Sequence, residues 1–147
     1  MLRKLKVKIL NEKINIPKKA TRGSACFDLQ ASINEPIIIN PGNIIKVPTG
    51  IAIGINNKKY AAFVFGRSGL GVNHGITLSN SVGVIDSDYS GEICVGLCNV
   101  SNNPYTINPL DRIAQLCVMP VFCGSIITTQ SLKTTTRGEK GFGSSGK

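Results

Sequence analysis

Apolar and polar side chains alternate in short runs along most of this chain, and no segment sustains a helical period. From Arg3 to Ile9 the alternation is strict. Leu5, Val7 and Ile9 share one face and Lys4, Lys6 and Lys8 the other, which predicts a half-exposed strand whose lysines discourage edge pairing. Phe27-Asp28-Leu29 begins a second short strand. Ile37-Ile38-Ile39, the turn Asn40-Pro41-Gly42-Asn43 and Ile44 to Val47 predict strand, turn and strand. Pro48-Thr49-Gly50 is expected to bend the chain into a separate strand, Ile51 to Ile55. Asn56 to Lys59 turns it again into Tyr60 to Phe65. Ser101 to Pro104 and Asn108 to Asp111 are turns around the strand Tyr105 to Ile107. Arg112 to Val121 reads as a core strand with Gln115 as its polar exception. A buried Gln must be hydrogen-bonded, so Gln115 either ties strands together or meets a ligand. Short β runs with turn signals at about eight- to twelve-residue intervals point to an all-β sandwich or barrel. The one candidate helical turn follows Arg67, with Ser68 as its N-cap.

The stretch from Leu78 to Val100 organises the rest. Val82 to Ile85 is apolar, and Asp86-Ser87-Asp88-Tyr89-Ser90-Gly91 is dense in turn formers. Ile93 to Val100 then alternates, which predicts two strands and a tight turn. Ile93, Val95 and Leu97 fall on one face; Cys94, Gly96 and Cys98 make the other face low enough for something bulky to approach the backbone. Asp86 at a strand end, Tyr89 three residues on and Asn80 six residues before could form a pocket. An ordinary hairpin with a polar tip fits the same residues.

Two glycine-rich stretches carry further chemistry. After Arg67, consecutive backbone N–H groups, with Gly69 and Gly71 allowing close approach, could form an anion nest, and Arg67 could grip a phosphate in bidentate fashion. A plain turn is the simpler account. The end of the chain, TTRGEKGFGSSGK, is polar, basic and rich in glycine, and alone it reads as a disordered tail. Phe142 between Gly141 and Gly143, and Arg137 with the run Gly143-Ser144-Ser145-Gly146, also suit a tail ordered only by a nucleotide. Asp28 by itself is a turn residue with its carboxylate in water.

Composition narrows the class. Of 147 residues, 41% are hydrophobic, which excludes a disordered chain and suits one domain with a real core. Seventeen Lys and Arg against eight Asp and Glu give +9, favouring an anionic partner. There is no Trp, and no aromatic platform interleaved with basic residues, so direct nucleic-acid binding is not expected. MLRKLKVKIL is too charged for a signal peptide, and no stretch approaches the roughly 20 apolar residues of a membrane helix. A soluble cytoplasmic protein with no membrane contact is the expectation. Five cysteines without a CxxC, and a single histidine, argue against a zinc site. Cys94, Cys98, Cys117 and Cys123 read as small buried hydrophobes in a reducing compartment. His74 fits a solvated loop.

Five ordered segments resemble the motifs of the trimeric dUTPase family. They are Gly23-Ser24-Ala25-Cys26-Phe27-Asp28-Leu29, Gly66-Arg67-Ser68-Gly69-Leu70-Gly71, the run GVIDSDYSG from Gly83 to Gly91, Asp111-Arg112-Ile113-Ala114-Gln115-Leu116, and Arg137 to Gly146. Singly each is a weak pattern; in order, over nearly the whole chain, they are specific. The resemblance implies a jelly-roll-like, distorted β-barrel over residues 1–133 and a flexible C-terminal arm, 134–147, that closes over the active site. It implies a homotrimer with sites shared between neighbouring subunits, and hydrolysis of dUTP to dUMP and pyrophosphate, which limits uracil in DNA and supplies dUMP for thymidylate synthesis. Asp86 would be the general base for a water attacking the α-phosphorus. Mg²⁺ would be held mainly by the triphosphate and waters, with Asp28 acting through water. Asn80, Val84, Ile85, Asp86 and Cys94 would line the uracil slot, which has no space for a 5-methyl group. Tyr89 would lie against the deoxyribose. Arg67, Ser68, Gly69 and Gln115 would meet phosphates. From the arm, Arg137, Gly143 and Ser144 would reach phosphates and Phe142 would stack on uracil.

This chain departs mildly from the family pattern. Gly66 stands where Pro usually precedes the arginine, Cys26-Phe27 where Gly-Tyr is common, and Lys140 where Gly is frequent. None of these removes a catalytic group. The rival readings are a dCTP deaminase, which needs a different acid/base set, a regulatory protein that uses this fold to engage a protein partner, and a basic nucleic-acid-binding β protein supported by charge alone.

Overall fold

The computed structural model describes residues 4–139 and 141. Ten strands and one short helix follow one another: β1 Lys6–Ile9, β2 Phe27–Gln30, β3 Ile37–Ile39, β4 Ile44–Gly54, β5 Tyr60–Phe65, α1 Ser68–His74, β6 Ile76–Leu78, β7 Gly83–Ile85, β8 Glu92–Asn99, β9 Tyr105–Ile107 and β10 Arg112–Pro120. Two four-stranded sheets, ordered β1-β4-β8-β6 and β2-β10-β5-β7, and a two-stranded β3-β9 ribbon account for them. Every pairing is antiparallel. This is the jelly-roll-like all-β architecture expected, and β1, with its lysines, lies at a sheet edge.

The core follows from alternation. Val47, Ile51 and Ile53 of β4, Ile93, Val95 and Leu97 of β8, Ala62 and Val64 of β5, and Ile113, Ala114 and Leu116 of β10 are buried in one cluster. Each fully buried aliphatic side chain contributes about 1.5–3 kcal/mol. Asn99 is buried at the end of β8, and its amide is satisfied: Nδ2 donates to the Ile39 and Asn103 carbonyls, and Oδ1 accepts from the Ser101 N–H.

Four details differ from the sequence reading. Pro48-Thr49-Gly50 does not end a strand. β4 runs through it with an irregularity in its register with β8 between Pro48 and Ala52. Gly50 sits at φ +68°, where a Cβ would fall 2.7 Å from Ile14 Cγ1. Buried Thr49 donates to the Ile93 carbonyl at 2.6 Å, and the Gly50 N–H donates to Glu92 Oε1 at 2.8 Å. The backbone groups thus find partners without breaking the strand.

The second difference concerns the organising stretch. β7 and β8 are not a hairpin. β8 has β4 and β6 on its two edges, so β7 pairs instead with β5 in the other sheet. Residues 86–91 cross from one sheet to the other, which makes a cleft between sheets where a hairpin would leave none. Third, Ser68 is the first residue of α1, and Arg67, extended at φ −98° and ψ 133°, takes the N-cap position without a side-chain cap. Fourth, the cysteines are not core. Cys94 and Cys123 are exposed, and Cys98 and Cys117 half-buried. Alternation places Cys94, Cys98 and Cys117 opposite the buried positions of β8 and β10, and Cys123 lies beyond the last strand. His74 is exposed, as expected, but it ends α1 and its ring packs 4.8 Å from that of Tyr105.

Candidate functional site

A cavity of about 410 Å³ opens where the 86–91 crossover leaves β7 and meets β8. Its wall is the low face of β8, Cys94 and Gly96, with Lys46 of β4 beside them. Gly96 keeps the wall low there. A Cβ would lie 2.4 Å from Ser79 Oγ, and the Ser79 N–H donates to the Gly96 carbonyl at 2.9 Å. This close approach brings the turn carrying Asn80 against β8. Ser81, at φ +62°, donates back to the Leu78 carbonyl and tightens the same turn. Val84, Ile85 and Asp86 line the opposite side from β7 and its end.

The crossover is also held locally. The Tyr89 N–H donates to the Asp86 carbonyl at 3.2 Å, and the Tyr89 phenol donates to the Glu92 carbonyl at 3.0 Å. The phenol bond fixes the half-exposed ring at the cavity rim. Burial, then the Glu92 carboxylate, pushes the Cys94 thiol pKa up, while Lys46 pulls it down. The structure thus brings together Asn80, Val84, Ile85, Asp86, Tyr89 and Cys94. It adds Lys46, Leu78 and Glu92, which no sequence pattern flagged. Lys46 and Cys94 flank Gly96 on the same outer face, a relation visible only once β4 and β8 are paired.

A second group lies elsewhere. Asp28 of β2 stands opposite Gln115 of β10, which stands opposite Phe65 of β5. Arg67 Nε donates to Asp28 Oδ1 at 3.2 Å and Arg112 Nη1 to Asp28 Oδ2 at 3.1 Å. Arg67 Nη1 also donates to the Arg112 carbonyl at 3.1 Å. Gln115 Nε2 donates to the Gly66 carbonyl at 2.9 Å, so here its amide ties β10 to the loop before Arg67. One carboxylate between two guanidiniums leaves the cluster cationic while holding Arg67 in place. Ser68 and Gly69 open α1 beside it, where the first-turn N–H groups lack intrahelical acceptors. Arg112 is the member that the sequence reading assigned no role.

The two groups are far apart within one chain. Ile85 pairs with Ala62, so Asp86 emerges beside Ala61 at the start of β5. Arg67 lies six residues further along, past the other end of that strand, at roughly 3.3 Å per residue or about 20 Å away. None of Asp28, Arg67, Ser68, Gly69 or Gln115 lines the cavity. Arg137 is exposed. Phe142, Gly143 and Ser144 lie outside the described residues. Among the described residues there is no cluster of three or more His, Cys, Asp or Glu able to hold a metal, and no helix long and apolar enough to cross a membrane.

An antiparallel jelly-roll-like barrel, with a cleft between its sheets and a guanidinium cluster at a helix start, defines the structural class. Solved structures share it. The dUTPase of Staphylococcus bacteriophage 80alpha, determined with dUpNHpp, superposes with a TM-score of 0.88 over 98% of this chain and 99% of that one, at 23% identity. The dUTPase of phage phi11 of S. aureus, described with a structural Mg(II) ion, gives 0.80 over 90% and 100% at 19% identity. At the sequence level a family profile described as dUTPase matches residues 12–146. The deoxyuridine 5′-triphosphate nucleotidohydrolases of Polynucleobacter asymbioticus and Idiomarina loihiensis are 45% and 47% identical, covering 99% and 97% of both chains. The chain belongs to the dUTPase family. It is a dUTP diphosphatase, hydrolysing dUTP to dUMP and pyrophosphate.

Proposed function

We propose that dUTP is hydrolysed at a site shared between neighbouring chains of a homotrimer, with the cavity of one chain facing the Asp28–Arg67–Gln115 cluster of another. The separation of about 20 Å between Asp86 and Arg67 carries this reading. A single triphosphate cannot reach from a base at Asp86 to phosphate donors that distant in the same chain. Apolar surface supports it. Phe63 and Phe65 stack 6.5 Å apart on the outer face of β5, and neighbouring Val84 is 61% exposed. Beyond β10, Phe122, Ile126, Ile127 and Leu132 are more than four-fifths exposed, a segment suited to lie on another chain.

Within the cavity, Asn80 and the outer face of β8 read uracil. Groups placed for O4 and N3–H reject cytosine by leaving donors unpaired, a stronger discrimination than lost apolar contact. Tyr89, held by its bond to Glu92, lies where a ribose 2′-hydroxyl would clash. Asp86 orients a water against the α-phosphorus and takes its proton as the new P–O bond forms and pyrophosphate departs. Arg67, kept in register by Asp28, and the first N–H groups of α1 receive phosphate oxygens. Gln115 holds the loop that presents Arg67. Arg137 and the arm close over the nucleotide and exclude water.

The donor set suits a hard cation that arrives with the substrate. Both Asp28 oxygens are engaged by arginines, yet a carboxylate keeps lone pairs for a bridging water. Mg²⁺ binds through few carboxylates, waters and substrate phosphates. When bound, Mg²⁺ neutralises charge on the phosphates. Pyrophosphate release from dUTP, dCTP, dTTP and UTP with Mg²⁺ tests the pocket assignments. dUTP should dominate, and equal turnover of dCTP or dTTP would overturn them.

A further inference from the structure

Cys26 and Cys117 face each other across β2 and β10. Leu116 pairs with Phe27 in that ladder, so the next positions out, Cys117 and Cys26, stand opposite one another. The Asp28 N–H donates to the Lys18 carbonyl, away from β10. Asp28 therefore occupies a pair whose backbones do not bond each other. Cys26, two residues back, occupies the same kind of pair by alternation. Opposed Cα atoms at such pairs lie about 4.5 Å apart, inside the roughly 4.4–6.8 Å window of disulfides. Burial, then the neighbouring Cys117, pushes the Cys26 thiol pKa up, and Cys117 Sγ lies 3.9 Å from the Ala25 carbonyl. Neither is locked in the core, and both are half-buried. No other cysteine has this arrangement: Cys94 stands opposite Pro48, and Cys98 opposite Ile44 and Thr77.

We propose that Cys26 and Cys117 are a modification site, a thiol pair that closes to a reversible disulfide stapling β2 to β10 when a peroxide acts on the protein. One sulfur attacks a peroxide oxygen. The O–O bond breaks, a sulfenic acid forms, and the released hydroxide takes the first thiol's proton and leaves as water. The second sulfur then attacks the sulfenic sulfur. The S–S bond forms as the S–O bond breaks, and that hydroxide takes the second thiol's proton as another water. Two thiols lose two electrons in all, and hydrogen peroxide gains them. The bond joins positions far apart in sequence, so it constrains the unfolded chain strongly. This chemistry stands apart from the assignment of the hydrolytic site, because it needs neither substrate nor turnover.

The test is to treat the full-length protein with hydrogen peroxide, block remaining thiols with iodoacetamide and map the peptides. A Cys26–Cys117 cross-linked peptide is expected, lost again on dithiothreitol treatment. The melting temperature should rise by about 5–15 °C on oxidation, and the rise should be absent in Cys117→Val. If that variant does not fold, Cys26→Ala serves as the control. Recovery of Cys26 and Cys117 alkylated or separately oxidised, under conditions that oxidise the exposed Cys94 and Cys123, would overturn the proposal. So would a cross-linked protein that melts no higher than the reduced one.

Discussion

Replacing Asp28 by Asn tests whether the carboxylate acts as a positioning group for Arg67. The Arg67–Asp28 pair is well shielded, with side chains 27% and 18% exposed, whereas Arg112 is 53% exposed. A charge-assisted bond in the shielded setting is worth about 1.5–3 kcal/mol. The more exposed Arg112 pair adds at most about 1 kcal/mol. Asn keeps the shape and can still accept one hydrogen bond, so a net loss of about 2 kcal/mol is expected, a factor of roughly 30. Its distribution between binding and turnover is diagnostic. Removing the anion leaves two guanidiniums uncompensated, which strengthens attraction for a triphosphate while loosening Arg67's orientation. Steady-state kinetics on dUTP should therefore show kcat down about 30-fold with no rise in KM. The melting temperature should fall by about 4–8 °C. A raised KM with unchanged kcat, or full activity in a protein that merely melts lower, would refute the positioning role.

Tyr89→Ala should raise UTP turnover relative to dUTP if the ring, held by its bond to the Glu92 carbonyl, meets a 2′-hydroxyl as proposed; an unchanged UTP/dUTP ratio would remove that assignment. Asp86→Asn should bind dUTP in calorimetry while losing at least about 100-fold in turnover, the low end for a lost general base; recovery on raising Mg²⁺ alone would argue against a base. Deleting residues 136–147 should leave melting almost unchanged while activity collapses. On the proposed closure, ordering the arm costs about 1–2 kcal/mol per residue, which nucleotide contacts would offset. Phe142→Ala should lose less than the deletion, and full activity in the truncated protein would return the segment to a plain tail.

Much of the fold is legible because one-sided strands write their burial into the sequence. Lys4, Lys6 and Lys8 against Leu5, Val7 and Ile9 mark an edge strand, and Ile93, Val95 and Leu97 mark a core face, without any knowledge of partners. Partners are what alternation does not encode. Asp86 to Gly91 has the composition of a hairpin tip, and only the occupation of both β8 edges sends β7 to the opposite sheet. Pro48-Thr49-Gly50 looks like a break, yet Thr49 donates across to the Ile93 carbonyl and Glu92 of β8 accepts from the Gly50 N–H, so the irregular backbone is satisfied. Cys94, Cys98 and Cys117 are hydrophobic enough to read as core, but their parity on β8 and β10 puts them outside. The site divides in the same way. Asp86, Tyr89 and Arg67 stand out as functional residue types in loops. The Arg112–Asp28 pairing, Lys46 beside Cys94 and the distance between the two clusters depend on strand pairing alone.

That distance makes one measurement decisive. Arg67→Ala and Asp86→Asn variants, each inactive alone, can be co-refolded in equal amounts and assayed for pyrophosphate release from dUTP with Mg²⁺. If one chain supplies the cavity and its neighbour the phosphate cluster, random assembly places an intact cavity beside an intact cluster at about a quarter of the sites in a closed ring. Activity should return to roughly that fraction of the parent. If each site lies within a single chain, every site in every mixture carries a defect, and the mixture will be as inactive as its components.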